Sequence, residues 1–314
     1  MLRDDLIIRL CERIREHGMN GRVHTNGTRF KLEHFARLID IGWHAVAFSV
    51  DGATEEINDT IRSRGSFEKA TQNMRAMAAM RRERGVQHPL LILSAAVTHQ
   101  NIDTLDQYVT LGHDLGCDVV TGGHLTSTGD NTNPFHLTQE DIERLPEYVN
   151  KATERAQTLG ITSGFEPLLD VPAEESKKKF PPLPPPTETG IMKTPCFEPW
   201  TTVQVLADGK VGPCCVFWDT EADNLQDKSL RDIWFGPYFQ KLREKMMRGK
   251  FESYCVNCHS SLRERDIILR KNVTYFRKEW DEQQAVQQRE KEKERLNALT
   301  PLQKAGYLFP KTME

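Results

Sequence analysis

Apolar and polar positions along the first half of the chain predict short strands separated by amphipathic helices. Strands are predicted at residues 22–25, 45–50, 90–97 and 118–121, and helices at 3–18, 32–41, from Ser66, at 101–115 and from Thr138. A strand followed by a helix, repeated in this way, favours βα units and a parallel sheet. The expected fold class of this part is therefore α/β.

Local signals set the predicted ends of the helices. The first helix is expected to pack one apolar face and to end at Gly18, a residue suited to a C-cap. That face comprises Leu6, Ile7, Leu10, Cys11 and Ile14. Ser66 is predicted to cap its helix with its hydroxyl, and Thr138 opens another helix with acids in the first turn.

A change of composition separates the two halves of the chain. The stretch 172–194 is rich in proline, which central strands and helix interiors exclude. Beyond it, runs at 202–206 and 211–215 flank Asp208-Gly209 and predict a β-hairpin, followed by a helix at 229–248 and a charged helical stretch. The predicted domains are 1–171, 172–194 as linker, 195–261, and 262–314 as C-terminal extension.

Charge and hydropathy exclude several classes of function. The 314 residues carry 42 Lys and Arg against 45 Asp and Glu, a formal net charge of −3, so no positive field favours nucleic acid. No apolar run approaches the ~20 residues that a membrane helix needs. The amino-terminal helix carries acids and does not resemble a signal peptide. We expect a cytoplasmic protein that binds neither nucleic acid nor membrane.

The cysteines indicate metal or redox chemistry. Seven are present, and five of them lie between residues 196 and 258. An odd number without a secretion signal disfavours a disulfide framework. Four thiolates suit either zinc or a 4Fe-4S cluster, and spacing does not choose between the two. Either Cys214 or Cys215 could instead be a small buried hydrophobic residue.

Four short motifs lie at or after predicted strands of the first half. They are His24-Thr25-Asn26-Gly27-Thr28, Phe48-Ser49-Val50-Asp51-Gly52, Asn58-Asp59-Thr60-Ile61-Arg62 and Val97-Thr98-His99-Gln100-Asn101. In this order they resemble the motifs of radical S-adenosylmethionine (SAM) enzymes that carry a SPASM or Twitch auxiliary domain, with Asn58 where the family usually has His. The resemblance implies a partial TIM-like barrel of the radical SAM type.

The second half resembles the auxiliary domain of that family. The similarity covers Cys196-Phe197-Glu198-Pro199-Trp200, the Asp208-Gly209 turn, Pro213-Cys214-Cys215 and the Cys255 to Cys258 pair. It implies a single 4Fe-4S cluster of the Twitch type, followed by the charged extension. The implied ligands are Cys196, Cys214, Cys255 and Cys258, with Cys215 as the alternative to Cys214.

The resemblance also implies a chemistry. Such enzymes cleave SAM to a 5′-deoxyadenosyl radical, and the auxiliary cluster would accept an electron from a peptide or small-molecule substrate, with a flavodoxin- or ferredoxin-type protein as reductant. The implied SAM-binding residues are Asn26, Ser49, Asp51, Arg62 and Asn101. His124 could line the substrate pocket or only cap its strand.

One departure from the family pattern qualifies this expectation. The family holds its catalytic cluster with a CxxxCxxC loop and meets SAM with a GGEP motif, and this sequence contains neither. We expect a truncated start, with SAM and the second 4Fe-4S cluster bound only if the preceding part is present. The alternative is a non-catalytic protein that binds a cluster or zinc and holds a partner.

Overall fold

The computed structural model describes residues 4–125, 134–169, 196–250 and 252–257 together with positions 286 and 290. The chain divides into two compact units, Met1–Ala173 and Glu174–Glu314. Each unit is described below by itself. The predicted linker at 172–194 and almost all of the predicted extension at 262–314 lie outside the described residues, so the four domain boundaries stay a prediction.

The first unit is a five-stranded parallel sheet in the order β1-β2-β3-β4-β5. The strands are β1 Arg22–Thr25, β2 Ala45–Ser49, β3 Leu90–Val97, β4 Val119–His124 and β5 Thr162–Gly164. The helices are α1 Asp4–Glu16, α2 Leu32–Asp40, α3 Glu55–Ile61, α4 Ser66–Glu83, α5 Leu105–Asp114 and α6 Gln139–Leu159. The predicted α/β class is confirmed, and the sheet has the open form of a partial TIM-like barrel.

The two faces of this sheet differ in what covers them. Alternate residues of a strand point to opposite faces. Val46 and Phe48 of β2 and Leu91 of β3 belong to the large core that the helices complete. Ala45 and Ala47, which alternate with them, form a separate buried cluster on the other face with residues of β3 and β4.

Several helix ends follow from local sequence. Thr138 caps α6 as predicted, because its hydroxyl accepts from the Asp141 N–H and the Asp141 carboxylate accepts from the Thr138 N–H. The predicted cap at Ser66 is wrong. The N-cap of α4 is Gly65, with no side-chain cap, and the hydroxyl of Ser66 lies among the side chains of Asn58 and Asp59.

The predicted apolar face of α1 is only partly correct. Cys11 is buried and Ile7 and Ile14 pack against the core, whereas Leu6 and Leu10 are 53% and 58% exposed. The structure therefore covers only part of the apolar face of α1 within the described residues. In the sequence the covered and the exposed apolar positions of α1 cannot be told apart, because both recur at helical spacing.

Within residues 196–250 of the second unit, the structure describes a small antiparallel hairpin and three α-helices. Strands β6 Gln204–Val205 and β7 Val211–Gly212 pair around a turn in which Gly209 has φ +88°. The helices are α7 Glu198–Thr201, α8 Leu230–Trp234 and α9 Pro237–Met247, and a 3-10 helix covers Ser253–Asn257. The hairpin agrees with the sequence prediction, although Cys214 and Cys215 lie beyond the end of β7.

The single helix predicted at 229–248 is wrong, because the structure breaks it at Gly236. Pro237 is the first residue of α9, a position that tolerates the missing N–H of proline. A side chain at Gly236 would come within 2.4 Å of the Asp232 carbonyl oxygen.

Among the described residues, no helix is long and apolar enough to cross a membrane.

Candidate functional site

Asp51 organises the end of β2, where the sheet meets its loops. Its side chain is buried, and its Oδ1 accepts a hydrogen bond of 2.8 Å from the Ala96 N–H of β3. The Asp51 N–H in turn donates to Asn58 Oδ1 at 2.9 Å. The carboxylate therefore joins the ends of two neighbouring strands, while its backbone is tied to α3.

Arg62 forms an ion pair with Asp51. Its Nε lies 2.6 Å from Asp51 Oδ2 in a direction that makes no hydrogen bond, and the structure gives this buried nitrogen no hydrogen-bond partner among the described residues. The Arg62 side chain is 29% exposed, so one part of the guanidinium is held while another part reaches solvent. A guanidinium placed in this way is suited to a carboxylate ligand.

Asn101 uses its side chain to hold the backbone of this edge. Its Nδ2 donates to the carbonyl oxygens of Asp51 at 2.6 Å and Ala96 at 2.8 Å, and its Oδ1 accepts from the Thr98 N–H at 2.7 Å. Both ends of the amide are therefore bonded to backbone. The geometry favours a positioning role for Asn101 over direct contact with a ligand.

A row of hydroxyls crosses the sheet face that carries the buried Ala45 and Ala47. Ser49 shares this face by alternation, and the register pairs Ser49 with Ser94 of β3 and Ser94 with Thr121 of β4. All three are partly exposed. Sequence reasoning identified Ser49 but missed Ser94 and Thr121, which the strand register alone brings beside it.

The other sequence-predicted positions of the first unit serve local structure. Asn26 is exposed, and its Oδ1 accepts from the Thr28 N–H and hydroxyl, which closes a turn. His24 is exposed. Desolvation of its buried part and the positive charge of Arg22 lower the pKa of His24. The Nε2 of His124 lies 2.9 Å from the Leu168 carbonyl oxygen, so the geometry favours the capping role for this residue.

Two glycines of the motifs permit close approaches. Gly27 has φ +73°, a conformation that side chains disfavour, and a Cβ there would lie 2.9 Å from the ring of Phe48. A Cβ at Gly52 would lie 2.3 Å from the backbone nitrogen of Asn58. The glycine of the Ser-Val-Asp-Gly segment is therefore what lets α3 pack directly on the end of β2.

The cysteines of the second unit have different environments. Cys214 is 7% exposed and packs with Phe217, Ala222 and Tyr254, and the partly buried Cys255 packs against the same group. This set of residues is called the cysteine cluster below. Cys215, next to Cys214 in the chain, is exposed. The structure thus brings Cys214, and not Cys215, together with Cys255.

The remaining predicted ligands are described in part. The Glu198 N–H donates to Cys196 Sγ at 3.4 Å, whereas Cys258 lies outside the described residues. Within the described part of the chain, no three His, Cys, Asp or Glu side chains group closely enough to hold a metal ion.

Burial raises the pKa of Cys11 to about 11 and that of Cys117 to about 12, so these two thiols of the first unit stay protonated.

Tyr254 is shared by the cysteine cluster and a polar cavity. The cavity, of about 360 Å³, is lined by Tyr254 together with Trp218, Asp219, Lys241 and Glu252. The hydroxyl of Tyr254 is buried and has no hydrogen-bond partner among the described residues. Burial and the negative charges of Cys255 and Cys214 raise the pKa of Tyr254, so the phenol remains a hydrogen-bond donor.

This donor set fits an iron-sulfur cluster. Two thiols share one apolar cluster, an amide N–H faces the sulfur of a third cysteine, and an orphaned hydroxyl lies beside the first two. Thiolates with N–H and O–H donors around them are the usual surroundings of such clusters. The apolar neighbours shield Cys214 from solvent, which also suits a redox centre.

Comparison with known families agrees with both halves of this description. The sequence profile of the radical SAM superfamily matches residues 2–111, and that of SPASM, an iron-sulfur cluster-binding domain, matches residues 196–259. Residues 2–111 are thus similar to the radical SAM superfamily, and residues 196–259 to SPASM. The SPASM match implies an iron-sulfur cluster, and the radical SAM match implies SAM and a 4Fe-4S cluster.

Individual relatives match parts of the chain. Mycofactocin maturase MftC of Mycobacterium tuberculosis (strain CDC 1551 / Oshkosh) is 31% identical over 146 residues, which is 45% of this chain and 35% of MftC. Streptococcus suis SuiB has the same fold, with a TM-score of 0.55 and 16% identity over 80% of this chain and 56% of SuiB. The chain thus aligns with about a third of MftC and about half of SuiB.

A further solved structure shares the fold. It is anSMEcpe with bound AdoMet and the Kp18Cys peptide, with a TM-score of 0.52 and 15% identity over 81% of this chain and 68% of that protein. At such identities the likeness concerns the fold alone. It agrees with the open parallel sheet and the small cysteine-rich unit that the structure shows.

Proposed function

We propose that this protein takes part in oxidative modification of a precursor peptide by radical SAM chemistry, with the SPASM cluster as electron acceptor. The supporting observation is that the SPASM match falls on the residues in which Cys214 and Cys255 share one buried cluster, in a chain that also carries the radical SAM match. When bound, SAM and its cluster would supply a 5′-deoxyadenosyl radical, with electrons from a flavodoxin- or ferredoxin-type donor.

The peptide class of substrate is supported by the relatives. MftC is named a maturase, and SuiB has been solved with a precursor peptide, SuiA. A small-molecule substrate is the alternative that the sequence left open. The peptide is favoured because the two kinds of relative, matched by sequence and by fold, are both described by peptide maturation.

The first unit would bind SAM at the carboxyl ends of its strands, where parallel α/β folds place their ligands. In this proposal the hydroxyls of Ser49 and Ser94 face the polar groups of SAM, and Arg62 binds its carboxylate. The Thr121 hydroxyl donates to the Gly164 carbonyl oxygen at 2.9 Å and would serve SAM only as an acceptor. Asp51 and Asn101 act as positioning residues, because their polar atoms already bond to Arg62 and to backbone. Asn26 would contribute through the turn that it closes.

The second unit would hold the auxiliary cluster through Cys196, Cys214, Cys255 and Cys258. Four thiolates close the coordination of a 4Fe-4S cluster, which favours electron transfer over binding of substrate at an open iron. Cys215 is left out of this set, because its side chain is exposed, whereas that of Cys214 is buried beside Cys255. The predicted boundaries of this domain, residues 195–261, remain part of the proposal.

Serine variants of neighbouring cysteines test this proposal. We expect about four irons and four sulfides per SPASM site in the wild-type chain after anaerobic reconstitution. Cys214→Ser and Cys255→Ser should lose most of that iron and the visible absorbance of the cluster. Cys215→Ser is the matched control and should keep the wild-type content. Iron content in Cys214→Ser equal to that of the wild type would contradict the proposal.

A further inference from the structure

Among the described residues, Tyr254 is the one tyrosine whose hydroxyl is buried without a hydrogen-bond partner. The Tyr108 hydroxyl donates to the Val50 carbonyl oxygen at 2.6 Å, and the Tyr238 hydroxyl donates to Asp219 Oδ2 at 2.8 Å. Tyr254 is only 8% exposed, yet its hydroxyl has no partner among the described residues. Burying a donor without a partner is unfavourable, so such a hydroxyl is expected to have an acceptor that belongs to a bound group.

Tyr254 packs within the cysteine cluster. Its ring packs edge-on against Phe217, with centroids 5.7 Å apart, and the two rings share the cysteine cluster with Cys214. Cys255, the next residue in the chain, packs against the same group. Tyr254 thus packs with the two proposed cluster ligands and also borders the polar cavity lined by Asp219, Lys241 and Glu252, and within the described part of the chain none of these residues accepts a hydrogen bond from its hydroxyl.

We propose that the Tyr254 hydroxyl donates a hydrogen bond to a sulfur of the auxiliary cluster and thereby raises its reduction potential. This inference rests on the proposed function of the SPASM domain. Reduction adds negative charge to the cluster, and a hydrogen bond to sulfur stabilises the more negative state. Removing the donor should make the cluster harder to reduce, while the ligands stay in place.

Potentiometric titration of the reconstituted full chain, followed by EPR of the reduced cluster, tests this role. Tyr254→Phe removes one oxygen and keeps the ring that packs on Phe217. We expect wild-type iron and sulfide content, with a midpoint potential shifted to more negative values. Tyr238→Phe is the matched control from the same neighbourhood, because its hydroxyl already has a carboxylate partner, and its midpoint should stay closer to the wild-type value.

A spectroscopic signature separates hydrogen bonding from a purely structural effect. The iron-sulfur stretching bands in resonance Raman spectra should shift between H₂O and D₂O by more in the wild type than in Tyr254→Phe. Equal isotope shifts and equal midpoints would overturn the inference while leaving the cluster assignment intact. Loss of iron from Tyr254→Phe would also overturn it, since the residue would then be needed for assembly. A wild-type chain that assembles no cluster would instead contradict the proposed function.

Discussion

Asp51 is the residue on which the edge of the sheet depends most. Its buried carboxylate accepts from the Ala96 N–H and pairs with Arg62, so removing its charge leaves a half-buried cation without compensation. We expect Asp51→Asn to lower the free energy of unfolding by about 2 kcal/mol, less than for a fully buried pair because Arg62 is partly solvated. Urea unfolding followed by circular dichroism measures this change.

The control for Asp51 is Asp103→Asn, an exposed carboxylate at the start of the next βα segment. It should change the unfolding free energy by no more than about 0.5 kcal/mol. Equal unfolding midpoints for Asp51→Asn and the wild type would show that the ion pair does not stabilise the strand ends, and would remove the positioning role assigned to Asp51.

Residue-level predictions from sequence succeeded where a local motif determines the outcome. The choice between Cys214 and Cys215 is not of this kind, and the sequence leaves it open. The predicted hairpin run 211–215 includes both cysteines, but β7 ends at Gly212 and the two cysteines follow in a turn. Their burial differs because of Phe217 and Tyr254, and Tyr254 is distant in sequence, so no local pattern reports it.

At the scale of elements, the start of α4 shows how a helix is capped from outside its own sequence. The Asp59 carboxylate accepts from the N–H groups of Gly65 and Phe67 and from the side chains of Asn58 and Ser66. Burial raises the pKa of Asp59, but these hydrogen bonds outweigh burial, and the pKa lies below its ordinary value of 3.8. The charge also faces the positive end of the helix.

We therefore expect Asp59→Asn to destabilise the protein by about 1 kcal/mol at neutral pH. Because the folded pKa is the lower one, the stabilisation is present above pH 3.8 and is lost as the pH falls through the folded pKa. Unfolding free energies of the two proteins should converge below this range. Glu83→Gln, at the opposite end of α4, is the control. A gap between Asp59→Asn and the wild type that is independent of pH would contradict a capping charge.

Elements were predicted best where one short segment determines them. All four predicted strands of the sheet and the cap at Thr138 appear in the structure. The short helix α3 was not predicted, since it depends on Gly52 allowing close contact with the strand end. The break at Gly236 carried a sequence signal, the following proline, which the amphipathic pattern of the surrounding helix obscured.

At the scale of the whole molecule, the α/β class could be predicted from periodicity, whereas the family could be reached only through several motifs in order. None of the four motifs is distinctive alone, and the structure assigns much of each to turns and caps. The row of hydroxyls at Ser49, Ser94 and Thr121 could not be predicted, because it requires the register of three strands. The unpartnered hydroxyl of Tyr254 could not be predicted either, because it depends on packing between residues that are distant in the sequence.

The central claim is that the cysteine-rich unit is an iron-sulfur redox centre. The most direct test is the content of iron, acid-labile sulfide and zinc per chain after anaerobic reconstitution, with EPR of the dithionite-reduced sample. The account predicts about four irons and four sulfides with the signal of a reduced 4Fe-4S cluster. About one zinc without sulfide would contradict it, and would make the unit a structural metal-binding module without a part in electron transfer.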